Sequence, residues 1–295
     1  MLLAKWIIVC CDYGRLGNRL HTHANILAWS IRNNYNLLNL SFRQYSYLFE
    51  PHKLHNCDMS IRKKSLLTVL LKLEIIRDFI TKLACSQKWI KRFRFLIYCI
   101  DKKDSVILDE QELENLRKKN FILVKAWNIR SEASINLVGN QIRKMLYPAS
   151  KYVVSANCFI NKLKTKHDCL VGIHARRGDY KHYLNGIHFH GWAEYLNWIS
   201  QLQNILTKKG YINICFIICS DDKVPSDIAN IQNIYSPKSS DMMTDLHILT
   251  LCDWNIGPPS SFGTWISWHG KVPRMEIYKD SHISNLEQFK ICSSC

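Results

Sequence analysis

Short apolar runs rich in β-branched residues alternate along this chain with segments patterned for helix, and that alternation decides what it can fold into. In the first half, Trp6–Cys11, Leu37–Phe42, Val106–Asp109 and Phe121–Trp127 read as strands. Gly17–Asn33 and the polar pattern of Glu110–Lys119 read as helices between them. A second set follows Pro148. There Cys169–His174, Ile212–Ser220, Asn233–Tyr235, Trp254–Gly257 and Arg274–Ile277 read as strands. Helix patterns at about Gly191–Lys209, Met242–Cys252 and Ser261–Trp268 separate them. Strands joined through helices pair in parallel, with helices covering both faces. The expected architecture is therefore α/β with mainly parallel sheets, in two Rossmann-like domains of residues 1–150 and 151–295.

The 295 residues carry a net charge of +16, which favours anionic partners such as nucleotide phosphates, nucleic acid or an acidic membrane face. The basic residues are spread widely and form no recognition motif for RNA or DNA, so a nucleic-acid partner is not expected. Residues 61–100 hold ten Lys/Arg against two acids, with leucines at helical spacing. This insert reads as a basic amphipathic surface on an acceptor-bearing membrane, or as an ordinary helix pair with solvated lysines. The apolar start has no basic flank, which argues for a buried first strand over a signal peptide. No transmembrane helix is expected, and the localisation expected is cytoplasmic, with peripheral contact at the inner membrane face. Twelve scattered cysteines read as buried free thiols. The Cys292–Cys295 pair has no partner pair, so no metal and no cofactor are expected.

Chemistry concentrates in a few segments. In Val171-Gly-Ile-His-Ala-Arg-Arg-Gly-Asp-Tyr180 a buried strand runs straight into a polar loop. Ligands of doubly wound sheets bind beyond the carboxyl ends of strands, and arginines there suit phosphate oxygens. Residues alternate faces in an extended segment, so His174 and Arg176 share one side, with Arg177 directed toward Asp179 or Asp222. Phe216–Asp222 is a strand ending in an acidic loop, where Asp221 can meet a nucleoside or cap a helix. From Asp245 to Trp265 the pattern is helix, strand, tight turn and new helix. Ser260 or Ser261 would cap that helix, whose start is a phosphate site. Gly14 and Gly17 form a turn after the first strand, beside Asn18.

His174-Ala-Arg-Arg-Gly-Asp-Tyr180 resembles the HxRRGDY motif of the α-1,2-fucosyltransferases and, more loosely, the matching loop of the α-1,6-fucosyltransferases. Gly14-Arg-Leu-Gly-Asn-Arg19 resembles the GGLGNQ turn of the same family, with Arg19 where the family has glutamine. Ser260-Ser-Phe262 follows an acidic helix and a short strand, as it does there. The resemblance implies two facing Rossmann-like domains (the GT-B arrangement) and metal-independent, inverting transfer from GDP-fucose to a glycan, and the membrane reading of the basic insert would make that glycan lipid-linked. It implies that Arg176 binds the diphosphate, His174 lies against the nucleoside, Asp245 reads guanine and Ser261 holds phosphate, with Phe262 beside it. Residues 43–165 match nothing in the family.

An inverting transfer needs a base for the acceptor proton. Asp179 is the expected base, with His182, His188, His190, Glu194, Asp12, His21 and His23 as further candidates. The rival readings are α-1,6 transfer, a basic nucleic-acid binder and a GDP-sugar binder without turnover.

Overall fold

The computed structural model describes residues 5–10, 13–50, 86, 97–108, 116, 118–237 and 241–295. The chain divides into two compact units, Met1–Ala149 with Ser294–Cys295, and Ser150–Ser293.

The first unit contains β1 (Trp6–Val9), α1 (Leu16–Asn33), β2 (Asn36–Asn39), β3 (Ile97–Ile107), β4 (Phe121–Arg130) and α2 (Glu132–Met145). Its strands are all parallel in the order β2-β1-β4-β3. Helix α1 packs on β4 and α2 and turns polar side chains inward. His23 is fully buried, stacks on Phe42 at 4.0 Å and meets the Asn39 amide at 3.3 Å. Asn25 accepts the Ser131 N–H and donates to the His21 carbonyl, so these polar groups bond one another inside the unit. Asn34, at φ 58°, ends the helix in the left-handed region that asparagine tolerates.

The second unit contains α3 (Ser150–Lys164), β5 (Cys169–Ala175), α4 (Trp192–Lys208), β6 (Ile214–Ser220), α5 (Ser226–Ala229), β7 (Ile234–Tyr235), α6 (Met242–Thr250), β8 (Trp254–Gly257), α7 (Ser261–Gly270) and β9 (Arg274–Glu276). All five strands are parallel, in the order β7-β6-β5-β8-β9. The chain winds outward from β5 to β7, then crosses to β8 on the other side of β5. The topological switch point therefore lies between β5 and β8, where a doubly wound sheet opens its ligand crevice. On one face Val171, Ile173, Phe216 and Ile218 pack against Trp198 and Leu202 of α4. Each such side chain, fully buried, contributes about 1.5–3 kcal/mol. Helix α6 covers the other face and packs on α3 and α7.

The α/β class with mainly parallel sheets is as expected. Two differences are informative. β3 begins at Ile97 rather than Val106, so the end of the basic insert is strand. Helices α2 and α3 fill 132–164, a stretch the sequence reading left without elements. The rest of the insert, apart from residue 86, and Asp12 lie outside the described residues. Among the described residues no helix is long and apolar enough to cross a membrane. Cys169, Cys215, Cys219 and Cys252 are buried free thiols.

Candidate functional site

β5 ends at Ala175, and the next residues turn into a loop that holds its two arginines in different ways. Arg176 Nε and Nη2 donate side-on to the two carboxylate oxygens of Asp179, at 3.0 and 2.8 Å. The Arg176 guanidinium lies over the Tyr180 ring, 4.6 Å from its centroid. Its Nη1 has no hydrogen-bond partner among the described residues, and the side chain keeps 19% of its surface open. Burial pulls its proton affinity down, but the bond to Asp179 and the charges of Tyr180, Asp179 and Asp221 outweigh that, and the net shift is upward.

Arg177 is buried. Its guanidinium is sandwiched between the rings of Phe189 and Trp192, at 4.7 and 4.4 Å. It donates to the His190 carbonyl and pairs with Asp222 at 3.3 Å. Asp221 Oδ1 accepts the backbone N–H groups of Arg177 and Gly178, at 2.7 and 3.0 Å. Through this oxygen Asp221 braces the arginine loop. That follows from register, because Ala175 of β5 sits beside Ser220 of β6.

The second loop leaves β8 next door. Ile256 pairs with Ile173, which brings Gly257 under His174. A Cβ on Gly257 would lie 2.7 Å from the His174 carbonyl oxygen, so only glycine allows this approach. Ser260, rather than Ser261, caps α7: its Oγ accepts the Gly263 N–H at 3.0 Å and lies 3.5 Å from His174 Nδ1. Ser261 is the first residue of α7, and Phe262 packs on the His174 ring at 4.9 Å. The Tyr180 hydroxyl donates to the Pro259 carbonyl at 2.6 Å and ties the two loops together.

Beneath both lies Arg274, which the sequence reading missed. It is 5% exposed. Its Nη2 donates to the carbonyls of Gly257 and Pro258 at 3.1 and 2.7 Å, and its Nη1 pairs with Glu276 at 2.8 Å. A Cβ on Gly263 would fall 2.6 Å from the guanidinium carbon, so α7 starts directly on this cation. Burial, then Arg274 and Arg176, push the His174 imidazole down to about 3. It is neutral at working pH and can stack on a base or donate without adding charge.

Asp245, in the first turn of α6, is partly buried and accepts a hydrogen bond from the Cys219 thiol at the end of β6. That bond fixes the carboxylate beside the end of β6.

No family model matches the sequence, and no curated protein matches it. Solved structures do match. A mutant of Arabidopsis thaliana FUT1 in complex with GDP matches with a TM-score of 0.61 at 13% identity, over 95% of this chain and 72% of that one. The fucosyltransferase NodZ from Bradyrhizobium matches with a TM-score of 0.54 at 18% identity, over 96% of this chain and 99% of that one. POFUT1 in complex with GDP matches with a TM-score of 0.50 at 11% identity, over 94% of this chain and 99% of that one. The chain has the fucosyltransferase fold.

Within this GT-B-like fucosyltransferase fold, the structure brings His174, Arg176, Asp179, Asp221, Ser260, Ser261 and Phe262 to the crevice between β5 and β8, with Asp245 anchored at the end of β6. Gly14, Gly17 and Asn18 lie in the other unit. There Gly14 has φ +64°, and Arg19 Nε donates to its carbonyl at 3.1 Å while Nη1 donates to Ser41 O at 2.7 Å. Arg19 therefore fastens the glycine turn. Several expected bases are engaged elsewhere. Asp179 grips Arg176, and taking up a proton there would break two charge-assisted bonds. Glu194 Oε2 accepts the Gly191 N–H at 2.6 Å as the capping residue of α4. His21, His23 and His190 are buried. His182 is exposed and His188 half-buried on the segment after the arginine loop. Arg274 gave no signal of its role in the sequence: it opens the short edge strand β9, and its carbonyl partners lie on the turn between β8 and α7.

Proposed function

We propose that this chain transfers fucose from GDP-fucose to a hydroxyl of a glycan acceptor, with inversion and in α-1,2 linkage. The observation that carries this reading is the meeting of Arg176 and the start of α7 at one switch point, tied by Tyr180 and Pro259. A guanidinium and first-turn amides converging there suit a diphosphate. The neutral, Phe262-backed His174 suits the nucleoside beside it. Asp245 suits guanine, whose adjacent N1–H and N2–H donors a carboxylate can accept together. Fold neighbours are consistent with this donor, since NodZ soaked with GDP-fucose is among them.

In the reaction the acceptor oxygen bonds to the anomeric carbon as the carbon–oxygen bond to the β-phosphate breaks. The electron pair leaves with GDP, and positive charge from Arg176 and the α7 amides meets it as it develops. No divalent metal is needed for that task in our reading. The acceptor proton goes to a base, for which His182 and His188 are the surface candidates on this segment. Asp179 instead holds Arg176 in register. The α-1,2 linkage follows the Gly178-Asp179-Tyr180 ending of the motif. The α-1,6 alternative is favoured by one observation, that NodZ is an α-1,6-fucosyltransferase.

Calorimetry against GDP, ADP and UDP tests the donor site. GDP should bind at least tenfold more tightly than the other two, and equal affinities would reject the guanine reading. Asp245→Ala should remove about 1.4 kcal/mol of GDP binding, a tenfold loss, with the melting temperature held. EDTA should leave transfer unchanged; loss restored by a divalent metal would reject the metal-free reading.

A further inference from the structure

We infer that the exposed rings of Tyr183 and Tyr278 form the subsite where the acceptor saccharide stacks; this rests on the donor reading above. Of the nine large hydrophobic side chains left exposed among the described residues of the second unit, four belong to this area: Tyr183 at 48% exposure, Leu184 at 59%, Ile187 at 63% and Tyr278 at 49%. They are not scattered. Tyr183 stacks on Tyr180 at 5.4 Å and 20°, His188 meets Tyr180 at 6.0 Å, and Tyr278 meets His188 edge-on at 6.1 Å. Tyr180 is also the ring beneath the Arg176 guanidinium and the hydroxyl bonded to Pro259. One chain of rings thus runs from the proposed diphosphate contact to the surface.

Chemistry selects the occupant. A second substrate must bring a hydroxyl within about 3–3.5 Å of the transferred carbon, so its site must adjoin the donor site. This patch does, through a single intervening ring. A pyranose has an apolar C–H face that covers an aromatic ring, and hydroxyls at its edge that need polar partners. Polar groups border the rings. Tyr278 Oη lies 3.3 Å from Glu276, and Lys181, His182 and Asn185 are exposed nearby in the chain. His188 Nδ1 is shielded from solvent and has no hydrogen-bond partner among the described residues. Such an orphaned atom under an aromatic rim is where a ligand hydroxyl or a bridging water belongs. The backbone here is also costly: Leu184 and Asn185 are both left-handed, at φ 48° and 56°. Strain of this kind is retained where a surface must be presented in one shape. The small ring faces bounded by polar edges fit a neutral sugar better than a lipid tail or a protein helix.

The experiment uses saturation-transfer NMR on the full chain with GDP bound, with lactose and chitotriose as probes. Wild type should transfer saturation to ring-face protons of at least one saccharide. Tyr183→Leu and Tyr278→Ala should each weaken that binding about tenfold, while Tyr278→Phe, which keeps the ring, should retain it. GDP affinity by calorimetry should be the same in all variants, which also reports that they are folded. Undiminished saccharide binding in the two ring-loss variants, or no transfer to either probe in wild type, overturns the subsite. Failure of wild type to bind GDP overturns the donor reading instead.

Discussion

The two sides of the arginine loop hold the same guanidinium group under opposite conditions. On one side Arg176 meets a single carboxylate, rests on one ring and, among the described residues, keeps one nitrogen without a partner. On the other, Arg177 is enclosed by two rings, a carbonyl and an ion pair. The difference teaches that adjacent charges divide the work: one cation builds the loop, and the other, in our proposal, meets the donor diphosphate. Asp221 and Asp179 repeat the division, since Asp221 braces backbone and Asp179 aims a side chain.

The comparison breaks most sharply at Arg176. Arg176→Ala should lower kcat about 100-fold or more, because a donor aimed at developing charge is removed. Its melting temperature should match wild type by calorimetry, and near-normal turnover would end the distinction between the two arginines. Arg177→Ala should do the reverse. It empties an aromatic slot and strands the His190 carbonyl, costing about 2 kcal/mol in a denaturant melt. GDP affinity should fall only as far as the loop loosens.

The smallest expected effect is on the pH axis. Burial lowers His247 to about 4, and burial with Arg274 and Arg176 lowers His174 to about 3, against 6.5 in the unfolded chain. Between those values and 6.5 the unfolded state binds more protons than the folded one, so stability rises with pH there. The stabilisation is complete above about pH 6.5 and is lost progressively as pH falls toward 3–4. Thermal melts should shift down by a few degrees from pH 7 to pH 5. His247→Asn should flatten part of that slope, and an unchanged slope would show that this imidazole binds its proton as readily in the folded state as in the unfolded one.

Much of the second unit was legible because its strands are enclosed on both faces. β5 and β6 are mostly apolar over seven residues each, and such runs between turn signals read as interior strands. Helix α4 carries Tyr195, Trp198, Leu202 and Leu206 on one stripe and was read within a residue at each end. Helices α2 and α3 were not read, since Glu132–Met145 and Ser150–Lys164 mix exposed polar positions with few buried ones. In the site, the Arg177–Asp222 pair was among the alternatives the alternation argument left open. The Arg176–Asp179 clamp was not, because the chain leaves the extended conformation after Ala175 and enters a 3₁₀ turn at Asp179–Lys181. Strand periodicity says nothing about partners across such a turn. Arg274 depends on a contact with a helix start more than ten residues away in sequence, which spacing does not encode.

The seat of α7 on Arg274 carries a consequence for how the crevice responds to its medium. The Arg274 guanidinium is buried and so walled off from mobile ions. The positive potential at the helix start is thus part of the solid framework, set once at folding. Added salt, which screens charges on the open surface, should leave it intact.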